Sequence, residues 1–132
     1  MKTAAIDIGL KRIGVALCLQ SDIVIPKSAI LRKNRNQAAN EVDIFLREWE
    51  IEVLIVGLAV DGKSADEMQR RVKHFVSLLK FEGEVVYIDE DFSSYEAKEK
   101  MKGIVKQKKD GKIDSISAIV ILERYLMNKN ED

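Results

Sequence analysis

Apolar residues come in short, nearly unbroken blocks at the start of the chain and shift to helical spacing after residue 34. The block Thr3-Ala4-Ala5-Ile6-Asp7-Ile8 predicts a strand, Gly9 to Arg12 a turn, and Ile13 to Leu19 a second strand that restarts at once. Strands joined this tightly must be antiparallel, because a parallel pair needs a long crossover. After the turn cluster Gln20-Ser21-Asp22, Ile23 to Leu31 predicts a third strand. Pro26 has no N–H to give a ladder, so that strand belongs at a sheet edge.

Ala38, Val42, Phe45 and Trp49 recur at helical intervals behind a cap at Asn34 or Asn36, which predicts an amphipathic helix near 36–50. Val53 to Val56 reads as a strand buried on both faces. Ser64 and Glu67 form a capping-box pattern ahead of the stripe Met68, Val72, Phe75, Val76 and Leu79, a second helix. Glu84 to Asp89 predicts another strand, and Ser93 with Glu96 repeats the capping pattern before a shorter helix. Ile113 to Met127 predicts a last helix, so apolar at 116–122 that it must pack on several sides. The order fits one α/β domain over residues 1–132. Its sheet is mixed and five-stranded, an antiparallel three-strand meander followed by two parallel strands, with helices on both faces.

Composition narrows the chemistry. The 22 basic and 22 acidic residues cancel, so a nucleic-acid partner would need a local basic patch rather than overall charge. Cys18 and His74 are each the sole residue of their type, which leaves no intramolecular disulfide and no thiolate zinc cluster. Cys18 is most simply a small core residue, and His74 falls on the polar side of the second helix as a solvated histidine. No apolar run approaches the roughly 20 residues of a membrane span, and Asp7 interrupts the start before a signal-peptide region could form. The expectation is a soluble cytoplasmic protein without a membrane partner.

Three acids interrupt apolar elements: Asp7 in the first strand, Glu90 at the end of the last, and Asp114 at the opening of the final helix. With right-handed crossovers, the strands bearing Asp7 and Glu90 are parallel and deliver both acids to one carboxyl edge. If the Val53 strand lies between them, their backbones are about 10 Å apart, a gap that side chains and a bound cation can span. Converging carboxylates repel one another without a cation, and hard oxygen ligands with no His or Cys nearby favour Mg²⁺ or Mn²⁺. Such a site suits phosphodiester hydrolysis. Taken singly, each acid also has a plain reading: Asp7 shaping a turn, Glu90 a solvated strand end, Asp114 a helix cap.

The segment Asp7-Ile8-Gly9-Leu10-Lys11-Arg12-Ile13-Gly14-Val15-Ala16 resembles the D-x-G-x-x-R-x-G-x-A hairpin of the YqgF family, also called RuvX, within the ribonuclease H superfamily. Val56-Gly57-Leu58 followed by Asp61-Gly62-Lys63-Ser64 is similar to that family's V-G-L-P loop and D-G-S tail. Asp89 to Ala97 resembles its D-E-R-L-T-T-x-E-A segment, and Lys112 to Ala118 its K-x-V-D-x-x-A-A. The likeness spans essentially the whole chain, in order. It implies a ribonuclease H-like fold and a metal-dependent nuclease, a hydrolase acting on ester bonds. The activity implied is trimming of the 5′ end of pre-16S ribosomal RNA in ribosome biogenesis, with Holliday junction resolution on branched DNA as the alternative. Carried over by motif, Asp7, Glu90 and Asp114 become catalytic and metal-binding acids. Ala59 stands where the family has proline and Ser117 where it has alanine; Asp91 replaces an arginine, which removes a cation beside the catalytic glutamate.

Between Lys98 and Lys112 seven lysines face two acids, the clearest basic stretch in the chain. Its place between the Glu90 strand and the Asp114 helix makes Lys106, Lys108, Lys109 and Lys112 candidate phosphate contacts, and Lys11 and Arg12 of the hairpin are two more. A solvated lysine loop is the plain alternative. Ser64 is a phosphate candidate whose simpler role is capping. Phe45, Trp49, Phe75 and Phe81 read as core, so no stacking platform for single strands is evident. Two readings compete with the enzyme: a non-catalytic RNA-binding assembly factor, and a nucleotide-binding ATPase, which would need a second such domain. A monomer or a weak homodimer fits a chain of this size.

Overall fold

The first strand lies at the centre of the sheet. In the computed structural model, which describes residues 1–20, 23–58, 65–89 and 115–130, β1 (Thr3–Ile8) pairs antiparallel with β2 (Arg12–Cys18) and parallel with β4 (Val53–Leu58). β3 (Val24–Leu31) joins β2 antiparallel, and β5 (Glu84–Asp89) joins β4 parallel, giving the order β3-β2-β1-β4-β5. The sheet is the mixed one expected from the sequence. Pro26 sits on β3 at the edge, where its missing donor costs no ladder bond to an outer neighbour.

Strand alternation divides the core into two. Ala4, Ile6 and Ile8 of β1, Ile13, Val15 and Leu17 of β2, and Leu54, Val56 and Leu58 of β4 face α1 (Arg35–Glu48) and α2 (Ala65–Ser77). Phe75 of α2 is fully buried there, a contribution of roughly 1.5–3 kcal/mol for a side chain of its kind. Ala5, Ala16, Cys18, Val53 and Ile55 face the other way, against Ala118, Ile121 and Leu122 of α3 (Ile116–Asn130). The β1 and β2 residues on that face are small, which lets α3 approach closely. Ile116 and Val120 are buried on a second stripe of α3, as a helix apolar nearly all round requires.

Boundaries moved where hydrogen bonding overrode pattern. β4 runs on to Leu58 rather than ending at Val56, because Gly57 and Leu58 pair with Ile88 and Asp89. α1 begins on a reciprocal capping box, Asn34 with Gln37, and stops at Glu48 instead of continuing to 50. Its end is a Schellman turn: the Glu50 N–H donates to the Arg47 carbonyl (3.1 Å), the Ile51 N–H to that of Leu46 (3.0 Å), and Glu50 takes φ 53°. The Ser64 cap, the shorter helix from Ser93 and the first turn expected at Ile113 lie outside the described residues.

Candidate active site at the carboxyl edge of the sheet

Because β1, β4 and β5 are parallel, Ile8, Leu58 and Asp89 end at one edge. Asp7 is the penultimate residue of β1, paired with Gly14 of β2. It shares the strand parity of Ala5, so it lies on the α3 face, and it is half-buried. Among the described residues nothing donates a hydrogen bond or forms an ion pair with its carboxylate. A partly desolvated carboxylate without a donor is what a bound cation would satisfy.

The turn after Asp7 is held rigidly. The Gly9 N–H donates to the Arg12 carbonyl at 2.9 Å, and a Cβ at position 9 would come within 2.7 Å of that oxygen, so only glycine fits. From the far side, the Arg32 N–H donates to the Lys11 carbonyl (2.9 Å) and the Arg32 Nη1 to the Gly9 carbonyl (2.9 Å). Leu10, Lys11 and Arg12 are consequently presented outward, exposed.

Ser115 anchors the start of α3 in the sheet. The β2–β3 register shifts between Ile13 and Val15, which leaves ladder groups unpaired. The buried Ser115 hydroxyl fills that gap, accepting from the Val15 N–H (3.0 Å) and donating to the Lys27 carbonyl (2.5 Å). Val15 follows Gly14, the partner of Asp7. At the far strand, Arg124 Nη1 of α3 donates to the Asp89 carbonyl at 3.2 Å.

Of the residues singled out from sequence, Asp7, Lys11 and Arg12 come together at this edge. Glu90, Asp114, Lys106, Lys108, Lys109, Lys112 and Asp91 lie outside the described residues, and among the described ones no three potential ligands cluster. His74 is exposed on α2 and Cys18 buried, as their patterns implied. Sequence reasoning missed a cleft of about 480 Å³ beside Gly9, into which Arg32, Arg35, Arg70, Arg71 and His74 converge. The signal was present as Arg32 with Arg35 and as the Arg70-Arg71 pair, but each alone reads as a solvated helix surface.

The sheet order, the three parallel strands ending beside a central acid, and α3 crossing all five strands define an α/β fold with a mixed five-stranded sheet. It superimposes on Thermus thermophilus RuvC, solved in complex with a Holliday junction substrate, with a TM-score of 0.66 over 99% of this chain and 96% of that one at 14% identity, a likeness of ribonuclease H-type fold. The RuvX family model, described as Holliday junction resolvase, matches residues 1–128, and the chain belongs to that family. A Sulfurovum relative named "Putative pre-16S rRNA nuclease" is 64% identical over 96% of this chain and 98% of its own length. One of the same name from Sulfurimonas denitrificans is 54% identical over 98% and 99%. No helix among the described residues is long and apolar enough to cross a membrane.

Proposed function

We propose that this protein is a divalent-metal-dependent nuclease that hydrolyses phosphodiester bonds in structured RNA, with the 5′ end of pre-16S ribosomal RNA as its substrate in the cytoplasm. The observation that carries the reading is Asp7, half-buried and without a donor among the described residues, at the carboxyl edge of the central strand in a chain of this family. Sequence neighbours support its convergence with the other acids: Glu90 follows Asp89, the last residue of β5 at the same edge, and Asp114 precedes Ser115, whose hydroxyl accepts from Val15, one residue from Asp7's partner Gly14.

Asp7, Glu90 and Asp114 would hold Mg²⁺ or Mn²⁺, since their donors are all hard oxygens. Bound there, the ions would supply Lewis-acid stabilisation of charge developing on the phosphoryl group. The chain's own contribution is to fix the Asp7 carboxylate on a central strand, and to present Lys11 and Arg12 where they can neutralise phosphates. Lys106, Lys108, Lys109 and Lys112 would add contacts from the segment between the second and third acids. Branched DNA is the second reading, favoured by the family's description and by the fold shared with RuvC.

The test is incubation of pre-16S RNA and of a four-way DNA junction with the protein in Mn²⁺ or EDTA, alongside Asp7→Asn. Cleavage of the RNA that needs Mn²⁺ and Asp7 supports the proposal, and cleavage of the junction alone selects the second reading. RNA binding without cleavage by the wild type would make the protein an assembly factor and end the nuclease reading.

A further inference from the structure

We infer that the arginine cleft between the Gly9 turn, the end of β3 and the helices α1 and α2 is a docking site for a nucleic-acid phosphodiester backbone. It would guide the strand over the sheet edge toward Asp7. The inference rests on the nuclease reading for its direction, but the binding itself does not require catalysis.

Among the described residues, four arginines and a histidine line the cleft, and no acid does. Arg32 comes from just beyond β3, Arg35 from the first residue of α1, and Arg70 and Arg71 from the middle of α2, so three elements aim cations at one hollow. Arg71 has a carboxylate partner, Glu67 at 2.6 Å, but both side chains are more than half exposed and such a pair is weak in water. Among the described residues no acid pairs with Arg32, Arg35 or Arg70.

Arg32 is also fixed in place. Its Nη1 donates to Gly9, and its guanidinium carbon lies 5.4 Å from the centroid of the buried Phe75 ring. Burial, with Arg35 and Arg71 close by, pulls the Arg32 guanidinium below its ordinary value, so this charge is held at a cost. Like charges gathered in a hollow focus an attractive potential for anions, and planar guanidinium forks match phosphate oxygens. The position selects among anions. Ile8 and Gly9, which follow Asp7 directly, form the cleft's inner wall, so a backbone bound there reaches Asp7 within about two residues of strand, roughly 7 Å. The cleft opens on the α1–α2 face and Asp7 lies on the α3 face, so one strand would cross the edge between them.

The test measures anisotropy of a fluorescein-labelled RNA hairpin and of a labelled four-way DNA junction in EDTA over a salt series. The variants are Arg35→Gln/Arg70→Gln, Asp7→Asn, and Arg47→Gln/Lys80→Gln, whose residues line a hollow at the opposite edge. Thermal melting confirms that each folds. The cleft variant should bind about tenfold more weakly, and its slope of log affinity against log salt should fall by about 1.4–1.8, the loss of two phosphate contacts. The opposite-edge variant, with the same change in charge, should match the wild type. Preference for hairpin or junction shows which nucleic acid the cleft serves. Unchanged affinity in the cleft variant, or equal weakening in the control, would overturn the inference. If the cleft variant loses binding while Asp7→Asn still cleaves in the Mn²⁺ assay, the assignment of cleavage to Asp7 fails and the cleft stands. If Asp7→Asn loses cleavage while the cleft variant binds normally, the cleft fails and the nuclease reading stands.

Discussion

The two edges of the sheet are built on opposite principles. At the amino edge polar groups are paired off. The Lys2 carbonyl accepts from both Glu52 and Val53, the Glu84 N–H donates to the Glu52 carbonyl, and both Asp43 carboxylate oxygens accept from the Lys80 N–H at 3.0 Å. Lys2 and Glu50 form a surface pair, and Gly83 is glycine because any Cβ there would collide with the Glu52 carbonyl. At the carboxyl edge, Asp7 has no donor among the described residues, four arginines crowd a cleft, and Leu10, Lys11 and Arg12 project into solvent. Among the described residues, backbone pairing closes the amino edge, while the carboxyl edge carries Asp7 and the arginine cleft. An edge that exists for stability closes its hydrogen bonds, and one that waits for a ligand does not.

Exchanging a single aspartate at each edge is the strongest way to break the comparison. Asp7→Asn should lower metal-dependent RNA cleavage by about 10³-fold, the scale of removing a group that acts in the transition state. Its urea midpoint should stay close to wild type. Asp43→Ala, at the other edge, should leave cleavage unchanged and cost about 1–3 kcal/mol, because the Lys80 N–H loses its partner. A stability loss at Asp7 with intact activity, or an activity loss at Asp43 in a normally folded protein, would erase the distinction between the edges.

Ser115 is where the two principles meet. Ser115→Ala leaves the Val15 N–H and the Lys27 carbonyl unpaired inside the sheet, at a cost of about 1–3 kcal/mol in urea unfolding. Because the same hydroxyl fixes the start of α3 beside Asp114, apparent Mn²⁺ affinity in the cleavage assay should weaken too. Ser115→Thr, which keeps the hydroxyl, should recover more of the metal affinity than Ala. If Ala weakens stability alone, Ser115 is only a sheet clamp.

Most of the frame was legible from sequence because it follows from local rules. The tight Gly9–Arg12 turn dictates an antiparallel start, Pro26 marks the edge strand, and the apolar blocks at Val53 and Glu84 require helical crossovers. Asp7 was legible because a lone acid in an apolar strand is conspicuous. The arginine cleft was not, since Arg32 and Arg70 are far apart in the chain and each sits in a segment whose polar face looks merely solvated. The register shift opposite Gly14, where β3 carries the extra residue, and the serine that fills it were equally hidden, because a backbone register shift leaves no mark in hydropathy. Likewise, nothing in the spacing of α1 announced that its end would fall two residues early, where Glu50 turns left-handed.

That turn gives the smallest predicted effect and the sharpest test of the amino edge as a purely structural device. Glu50 occupies the position of a Schellman turn where glycine is usual, and the left-handed conformation costs an L residue about 1–2 kcal/mol. Against that, Glu50→Gly loses the exposed pair with Lys2, worth about 0–1 kcal/mol, and gains unfolded-chain entropy worth about 0.4–1 kcal/mol. The terms nearly cancel, so the variant should lie within about 1 kcal/mol of wild type. High salt screens the Lys2 pair in the wild type and should therefore shift the balance toward the glycine variant. Urea titrations at low and high salt check both statements, and RNA cleavage should not change in either. A salt-independent loss of stability in Glu50→Gly would mean that the side chain contributes something other than charge at this edge.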